Sequence, residues 1–560
     1  MASTTKELSE KNVLDQTDCS EKNIYEPVGE TTTSIEPLEA STENVLSWRD
    51  DPANAHNWPA TRKYTVTLLL SALVFNTVMS STMIAPALSQ ITKDLHIQSD
   101  AQTQLVLSIY VLAYAVGYFF WAPLSEVYGR VPVLQVATAW FFIWNMVCGF
   151  ATSKALITAG RLFSGSGASA SIAISSGMLG EVWRPEQRGR SMAILSIITN
   201  LGPCIGPVIG GIIAERSLSS WRWAFWTTTI LNAVLQLLTI PFLHESHAQT
   251  IIRKRDRLAA GAPKQEKRQL PLRILVQAFR RPFYLLRTQP AAQGIVIYAS
   301  LCYGDLYTII VAIPVAFESV YHESIMISSL NYLSFGLGTM LGAQSCGRLN
   351  DWMYRRNKKR HSEKEKTDAD HEGEISEKLP YRPPAEIRLY LVGPAVFLIT
   401  IGLLVFGWTL QSGKVHWIVP DIGLFLFGIG NQTVVQCTNA YMIDMFSEIK
   451  SAAALTDALR SSSTRTVAEG PRAQPSTQAN INWTASAMAS IWTLKSVFGF
   501  VYPLFAIDMI KGLGWGWSFT LLALVNLLVG LPLIGGMLKW GWILREKGRR
   551  TIEQKIMSQG

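Results

Sequence analysis

Pro123-Leu124-Ser125-Glu126-Val127-Tyr128-Gly129-Arg130 closes one long apolar run and precedes another. A second stretch, Gly347-Arg348-Leu349-Asn350-Asp351-Trp352-Met353-Tyr354-Arg355-Arg356, echoes it some 220 residues later. Each places Leu-x-acid just past the end of an apolar run, with a basic group following. A repeat at this distance predicts a chain built of two related halves, and the apolar runs on either side say what the halves are made of. A bilayer core takes about 20 apolar residues per helix. Twelve runs qualify, at 64–88, 104–123, 131–150, 155–179, 192–214, 221–242, 291–318, 327–346, 389–409, 416–442, 485–508 and 515–541. Two six-helix halves with an internal echo form the pattern of a secondary transporter working by alternating access.

The composition agrees. The 560 residues are 48% hydrophobic and 16% charged, and the mean hydropathy is +0.19. Soluble domains carry about 25% charged residues, so a disordered chain is excluded and a purely soluble enzyme disfavoured. The net charge of +9 is unevenly placed. Residues 1–63 hold 12 acids against 6 bases, whereas segments 243–290 and 347–388 hold eleven Lys and Arg each. The loops on the other side carry little: Lys93, Lys154, Lys414 and Lys511 singly. Basic loops face the cytosol, so both tails are predicted to be cytosolic. Basic loops between apolar runs also argue for the bilayer as partner, and against nucleic acid.

The expected organisation is all-α. An acidic, disordered cytosolic tail covers 1–63, a six-helix bundle 64–242, a basic central loop 243–290, a second six-helix bundle 291–541, and a cytosolic tail 542–560. Residues 457–482 interrupt the second bundle. They are polar, rich in Ser, Thr and Arg, and read either as a cytosolic insertion or as a segment absent from the mature protein. No apolar stretch near the start resembles a signal peptide. Of the six cysteines, Cys19 lies in the acidic tail, and Cys148, Cys204, Cys302, Cys346 and Cys437 lie in or beside apolar runs. Their spacing suggests neither a disulfide framework nor a metal site.

Several motifs together resemble the major facilitator superfamily, and within it the fungal twelve-helix drug:proton antiporters, over about residues 48–545. They are Trp48-Arg49-Asp50-Asp51-Pro52 with Asn57-Trp58, Pro123–Arg130, Gly160-Arg161-Leu162 and Arg188-Gly189-Arg190. Gly202-Pro203-Cys204-Ile205-Gly206-Pro207-Val208-Ile209-Gly210-Gly211, Trp221-Arg222-Trp223 and Pro503-Leu504-Phe505 complete the set. Each is weak alone; their joint order carries the resemblance. It implies proton-coupled export of a lipophilic or amphipathic small molecule, such as a drug, fungicide or fungal secondary metabolite. It also implies a plasma-membrane site, with the vacuolar membrane second. The insertion and the acid Asp305 depart from the family pattern.

The residues have physical readings of their own. Glu126, Gly129, Arg130 and Arg188 sit at the predicted membrane–cytosol boundary. There a carboxylate can cap a helix N-terminus or pair with Arg130 or Arg188, forming a cytosolic gate; the alternative is an ordinary interfacial turn. Gly202, Gly206 and Gly210 recur every four residues and permit close helix contact. Pro203 and Pro207 remove backbone donors. With Gly211 they form what the resemblance identifies as the antiporter motif. Arg161, Asp305 and Lys495 are charges at membrane depth and need water or a partner. Asp305 and Lys495 are expected to interact, directly or through water, as a proton-coupling pair or as a static ion pair. Polar stripes of Asn76 and Ser80 in the first run, and of Asn431, Gln432, Gln436 and Asn439 in the tenth, either line a hydrated cavity or bond between helices.

Other classes fare worse. Gly165–Ala170 loosely resembles a dinucleotide loop, but no strand precedes it. No Walker sequence, HExxH or nucleophile–base set appears, so no enzyme activity, cofactor or metal is expected. A monomer handling a small-molecule substrate and protons is the reading. Proton-coupled nutrient uptake and a transporter-like sensor are the alternatives.

Overall fold

The computed structural model describes residues 51–215, 221–259, 284, 287–372, 384–464 and 483–559. The acidic tail before residue 51, most of the central loop and residues 465–482 of the polar segment lie outside them. The described residues contain helices and turns and no strand.

The first six long helices are α1 (Ala60–Thr82), α2 (Asp100–Tyr128), α3 (Arg130–Gly149), α4 (Lys154–Val182), α5 (Pro185–Glu215) and α6 (Arg222–Phe242). The second set begins with α7 (Pro290–Tyr321), α8 (Tyr332–Glu372), α9 (Val392–Ser412) and α10 (Ile418–Thr464). One further continuous stretch, Trp483–Gln559, breaks at Gly514, where φ is 78° and ψ 169°. That positive φ suits a residue without Cβ. The break separates α11 (483–513) from α12 (515–559).

Ten stretches are long and apolar enough to cross a membrane. One of them, Met488–Gly548, has 61 residues. At 1.5 Å per residue it would span about 90 Å, far more than one bilayer core, and the break at Gly514 divides it into two crossings. The remaining helix, α4, has 29 residues but falls short in hydropathy because Ser, Gly and Arg161 replace apolar residues. It packs against α2 and α3 all the same. The expected run at 416–442 is longer than anticipated. As α10 it continues to Thr464, because the Ala- and Leu-containing stretch after Phe446 favours helix.

Packing follows from small residues on facing helices. In the first set α1 lies on α5 and α6, α2 on α4, and α3 on α4 and α6. In the second, α8 and α9 lie on α10 and α9 also on α12, with Phe406 edge-on to Phe519. Contacts of α2 with α11 and of α5 with α8 join the sets. Adding six to one member of each pair and subtracting six from the other exchanges the two pairs. The joining surfaces thus obey the pseudo-two-fold relation that the repeated Leu-x-acid stretch suggested.

The outer surface is apolar where a soluble protein would be polar. Leu237, Leu528, Phe505 and Val136 are all more than 60% exposed. Exposed Trp408, Trp417 and Trp517 cluster at one end of the helices, and Trp352, Trp540 and Trp542 at the other. This is the aromatic belt of a bilayer-spanning protein.

Candidate transport site

Arg161 lies wholly buried in α4. Its guanidinium donates to the backbone carbonyls of Ser80 (2.9 Å) and Ser81 (3.3 Å) in α1 and of Val106 (3.3 Å) in α2. It also sits 4.0 Å over the Tyr110 ring. Carbonyls in the last turn of a helix lack intrahelical donors. Ser80 and Ser81 occupy that turn of α1, which ends at Thr82. Arg161 therefore closes the end of α1, and among the described residues it meets no carboxylate.

Asn76 and Ser80 bond to neighbouring helices. Asn76 donates to the Thr228 carbonyl (3.2 Å) and Ser80 to the amide oxygen of Asn145 (3.4 Å). The Asn145 amide nitrogen in turn reaches Thr228 Oγ1 and Thr229 Oγ1, each at 2.8 Å. The first polar stripe is thus an internal network tying α1, α3 and α6. Its hub, Asn145, is a residue that sequence reasoning missed. The α10 stripe behaves differently. Gln436 donates to Ser196 of α5 at 3.3 Å, across the two sets. Gln432 and Asn439 are half-buried, and Asn431 is buried with its side-chain oxygen unpartnered among the described residues.

Asp305 and Lys495 are each 1% exposed, but they form no ion pair. Asp305, on α7, accepts a hydrogen bond from Asn526 Nδ2 of α12 at 2.6 Å. Lys495, on α11, has no hydrogen-bond partner among the described residues, and its ammonium lies 5.4 Å from the Trp492 ring centroid. The expected direct contact fails because the two side chains turn to different neighbours. Cys302, one turn before Asp305, donates to Asn526 Oδ1 at 3.5 Å and lies within electrostatic reach of both charges. Asn526, a polar residue inside the last apolar run, was the missed signal.

The boundary cluster also differs from expectation. Glu126 is exposed and touches neither Arg130 nor a helix end among the described residues. The Arg130 guanidinium pairs instead with Glu181 at the end of α4, at 3.1 Å, and with Ser125 Oγ at 2.7 Å. Glu245, just beyond α6, accepts from the backbone N–H groups of Arg130 (3.0 Å) and Val131 (3.2 Å) and so caps α3. Gly129 makes room for it: φ is +105°, and a Cβ there would sit 2.5 Å from the Glu245 carboxylate. The Arg188 side chain lies outside the described residues. In the second set Arg388, just before α9, pairs with Asp444 of α10 at 2.8 Å and with Asp351 at 3.7 Å. The cationic counterpart of Arg130 is therefore Arg388, not Arg355 or Arg356. The described ion pairs of each cluster lie within one set of helices.

The Gly-Pro stretch forms close contacts along α5. Gly202 and Gly206 lie against Val78 and Met79 of α1, and Gly210 against the Met83 carbonyl. Gly211 abuts Ser329, between α7 and α8, while Cys204 abuts Gly336 of α8. Pro203 and Pro207 fall inside the helix.

Contacts between the two sets concentrate at the end away from Arg130 and Arg388. There Lys511 pairs with Asp100, Glu215 accepts from the Met326 N–H at 2.6 Å, and Tyr307 reaches Ser81 at 3.5 Å. Toward the basic loops the described contacts run no further than the Gln436–Ser196 bond and the Trp492–Tyr118 stack. Among the described residues, the contacts between the sets are thus denser at the end away from the basic loops.

Comparison with known proteins fits this geometry. Residues 70–464 match the Major Facilitator Superfamily. The chain is 35% identical over 513 residues to "Efflux pump vrtL" of Penicillium aethiopicum, covering 90% of this chain and 91% of the relative. It is 32% identical to "Probable efflux pump mfs2" of Aspergillus flavus, covering 83% and 98%, and 30% identical to "Efflux pump radE" of Floropilus chiversii, covering 89% and 84%. Among solved structures it resembles a bacterial homologue of the human lysosomal transporter Spinster, inward-facing and unoccupied. The TM-score is 0.54 at 13% identity, over 89% of this chain and 96% of that one. The xylose transporter XylE from E. coli, partially occluded and inward open, gives the same TM-score at 13% identity, over 86% and 98%. A multi-pass, all-helical chain with this match over most of its length is a membrane transporter rather than an enzyme, and it belongs to the Major Facilitator Superfamily.

Proposed function

We propose that this protein exports a lipophilic or amphipathic small molecule by alternating access, in exchange for protons, with Asp305 as the proton-carrying group. The observation that carries the reading is the state of Asp305: buried at membrane depth, held by the neutral amide of Asn526, and paired with no cation among the described residues. A charged carboxylate in that setting is strained by desolvation, and its neutral form is not. Taking up and releasing a proton there changes the local charge, which is what coupling requires. A permanently paired aspartate would be far less suited to it.

Direction and cargo draw on other support. The efflux pumps named above share 30–35% identity with this chain over most of its length. A drug, fungicide or fungal secondary metabolite is the cargo class we infer. The plasma membrane, with both termini cytosolic, is the proposed location, and a monomer the working unit; an Arg130- and Arg388-centred pair of clusters would steady the cytosolic end.

The test is transport in liposomes under an imposed pH gradient, read with a lipophilic fluorescent drug. Gradient-driven movement by the wild type, uncoupled or lost in Asp305→Asn, is the expected result. Equal movement in both proteins would remove Asp305 from the coupling role.

A further inference from the structure

We infer that Lys495 is the anion-binding group of the transport site, and that the cargo is an amphipathic aromatic acid, carrying a carboxylate or phenolate on a flat ring system. The inference rests on the transporter reading above and narrows its substrate class.

Trp492, Lys495 and Gly499 follow one another at spacings of three and four, so they share one face of α11. Both ends of that face meet the first set of helices. Trp492 stacks on Tyr118 of α2, with centroids 5.6 Å apart and planes 26° apart. A Cβ at Gly499 would lie 3.1 Å from Val111, also on α2. Lys495 lies between them, on the surface where the two sets of helices meet and which alternating access must open.

Its ammonium is buried and unpartnered among the described residues. Asp305, the acid nearest in kind and depth, is turned away to Asn526. A buried cation with no counter-charge is strongly unfavourable, and charges at membrane depth mark substrate or ion pathways. A bound anion would supply the missing charge. The surroundings specify the rest. Trp492 and Tyr118 present stacked faces, Tyr303 stands edge-on to Trp492 at 6.3 Å, and the Tyr118 hydroxyl is a second buried donor without a partner among the described residues. An aromatic acid can slide its ring against Trp492 or Tyr118 while its oxygens face Lys495 and the Tyr118 hydroxyl. A small inorganic anion would leave the aromatic walls unused, and a cationic drug would be repelled by Lys495.

The experiment is calorimetric titration of purified full-length protein with naphthalene-2-carboxylate and with its uncharged methyl ester. The wild type should bind the acid at least tenfold more tightly than the ester. Lys495→Gln should abolish that preference by weakening the acid alone, and Lys495→Arg should retain it. A melting scan of each variant shows whether it is folded, and the arginine variant keeps the test decisive if the glutamine variant is not. Equal affinity for acid and ester in the wild type, no binding of either, or an undiminished preference in folded Lys495→Gln would overturn the inference. Because binding needs no gradient, failure of proton exchange alone leaves this result standing, and failure here leaves proton exchange standing.

Discussion

The guanidinium of Arg130 pairs with the carboxylate of Glu181 at 3.1 Å, joining the start of α3 to the end of α4. Six helices later Arg388 and Asp444 repeat the arrangement at 2.8 Å, joining the start of α9 to α10. Each pair fastens two helices within its own set. A conformational change that rocks the sets against each other can therefore leave both pairs intact, and we propose that they brace rigid bodies.

The brace makes a discriminating prediction. Glu181→Gln removes a partly buried charge-assisted bond, which is worth roughly 1.5–3 kcal/mol. Transport should fall about tenfold or more and the protein should melt earlier. Glu126→Gln, at an exposed position without a described partner, should stay within about twofold, since such surface changes cost at most ~0.5 kcal/mol. Measuring initial rates and melting temperatures of the two variants side by side checks this.

Arg161 should prove a stability residue. Replacing it with Met leaves the carbonyls of Ser80, Ser81 and Val106 without their donor, at about 1–3 kcal/mol for each group left buried. Folded yield should drop sharply. Arg161→Lys should recover only part of it, because an ammonium cannot reproduce the planar fork. Detergent-solubilised yield and thermal unfolding read the effect.

Gly211 should report on the conformational equilibrium. A methyl group there would collide with the Ser329 side chain across the two sets of helices. Gly211→Ala should disfavour that contact and raise labelling of a cysteine introduced beside Asp100. Gly210→Ala collides instead with the Met83 carbonyl inside the first set and should lower stability without that labelling change.

Glu323 lies in the turn between Tyr321 and Ile325, and burial raises its carboxyl above the usual range despite a 2.9 Å bond from Asn331. A carboxyl raised in the folded state binds more protons there than in the unfolded chain. Its contribution to stability is therefore fully present below the ordinary value of 4.5 and is lost as pH climbs through the raised one. Comparing melting temperatures of the wild type and Glu323→Gln across pH should show that slope vanish in the variant.

Much of the architecture was legible in the chain because bilayer length, loop charge and the Leu-x-acid repeat are one-dimensional signals. The site was less so. Asn145 and Asn526 looked like single polar residues in apolar runs, and only the packing of α3 on α6 and α12 on α7 reveals what they hold. Asn76 and Ser80 shared a helical stripe, yet periodicity does not say whether a stripe faces a cavity or a neighbouring helix. The pairing of Asp305 with Lys495 was inferred from equal depth, whereas the contact depends on rotation about each helix axis. Glu181 and Glu245 are far from Arg130 in sequence, whereas Glu126 is only four residues away.

The central claim is that protons and cargo exchange through Asp305. The most direct measurement loads liposomes with a pH-sensitive dye, imposes a gradient of a transported drug without any pH gradient, and follows proton movement. The wild type should move protons opposite to the drug, and Asp305→Asn should move drug with no proton signal or move neither. Drug transport by the wild type without proton movement, or an undiminished proton signal in the variant, would contradict the account.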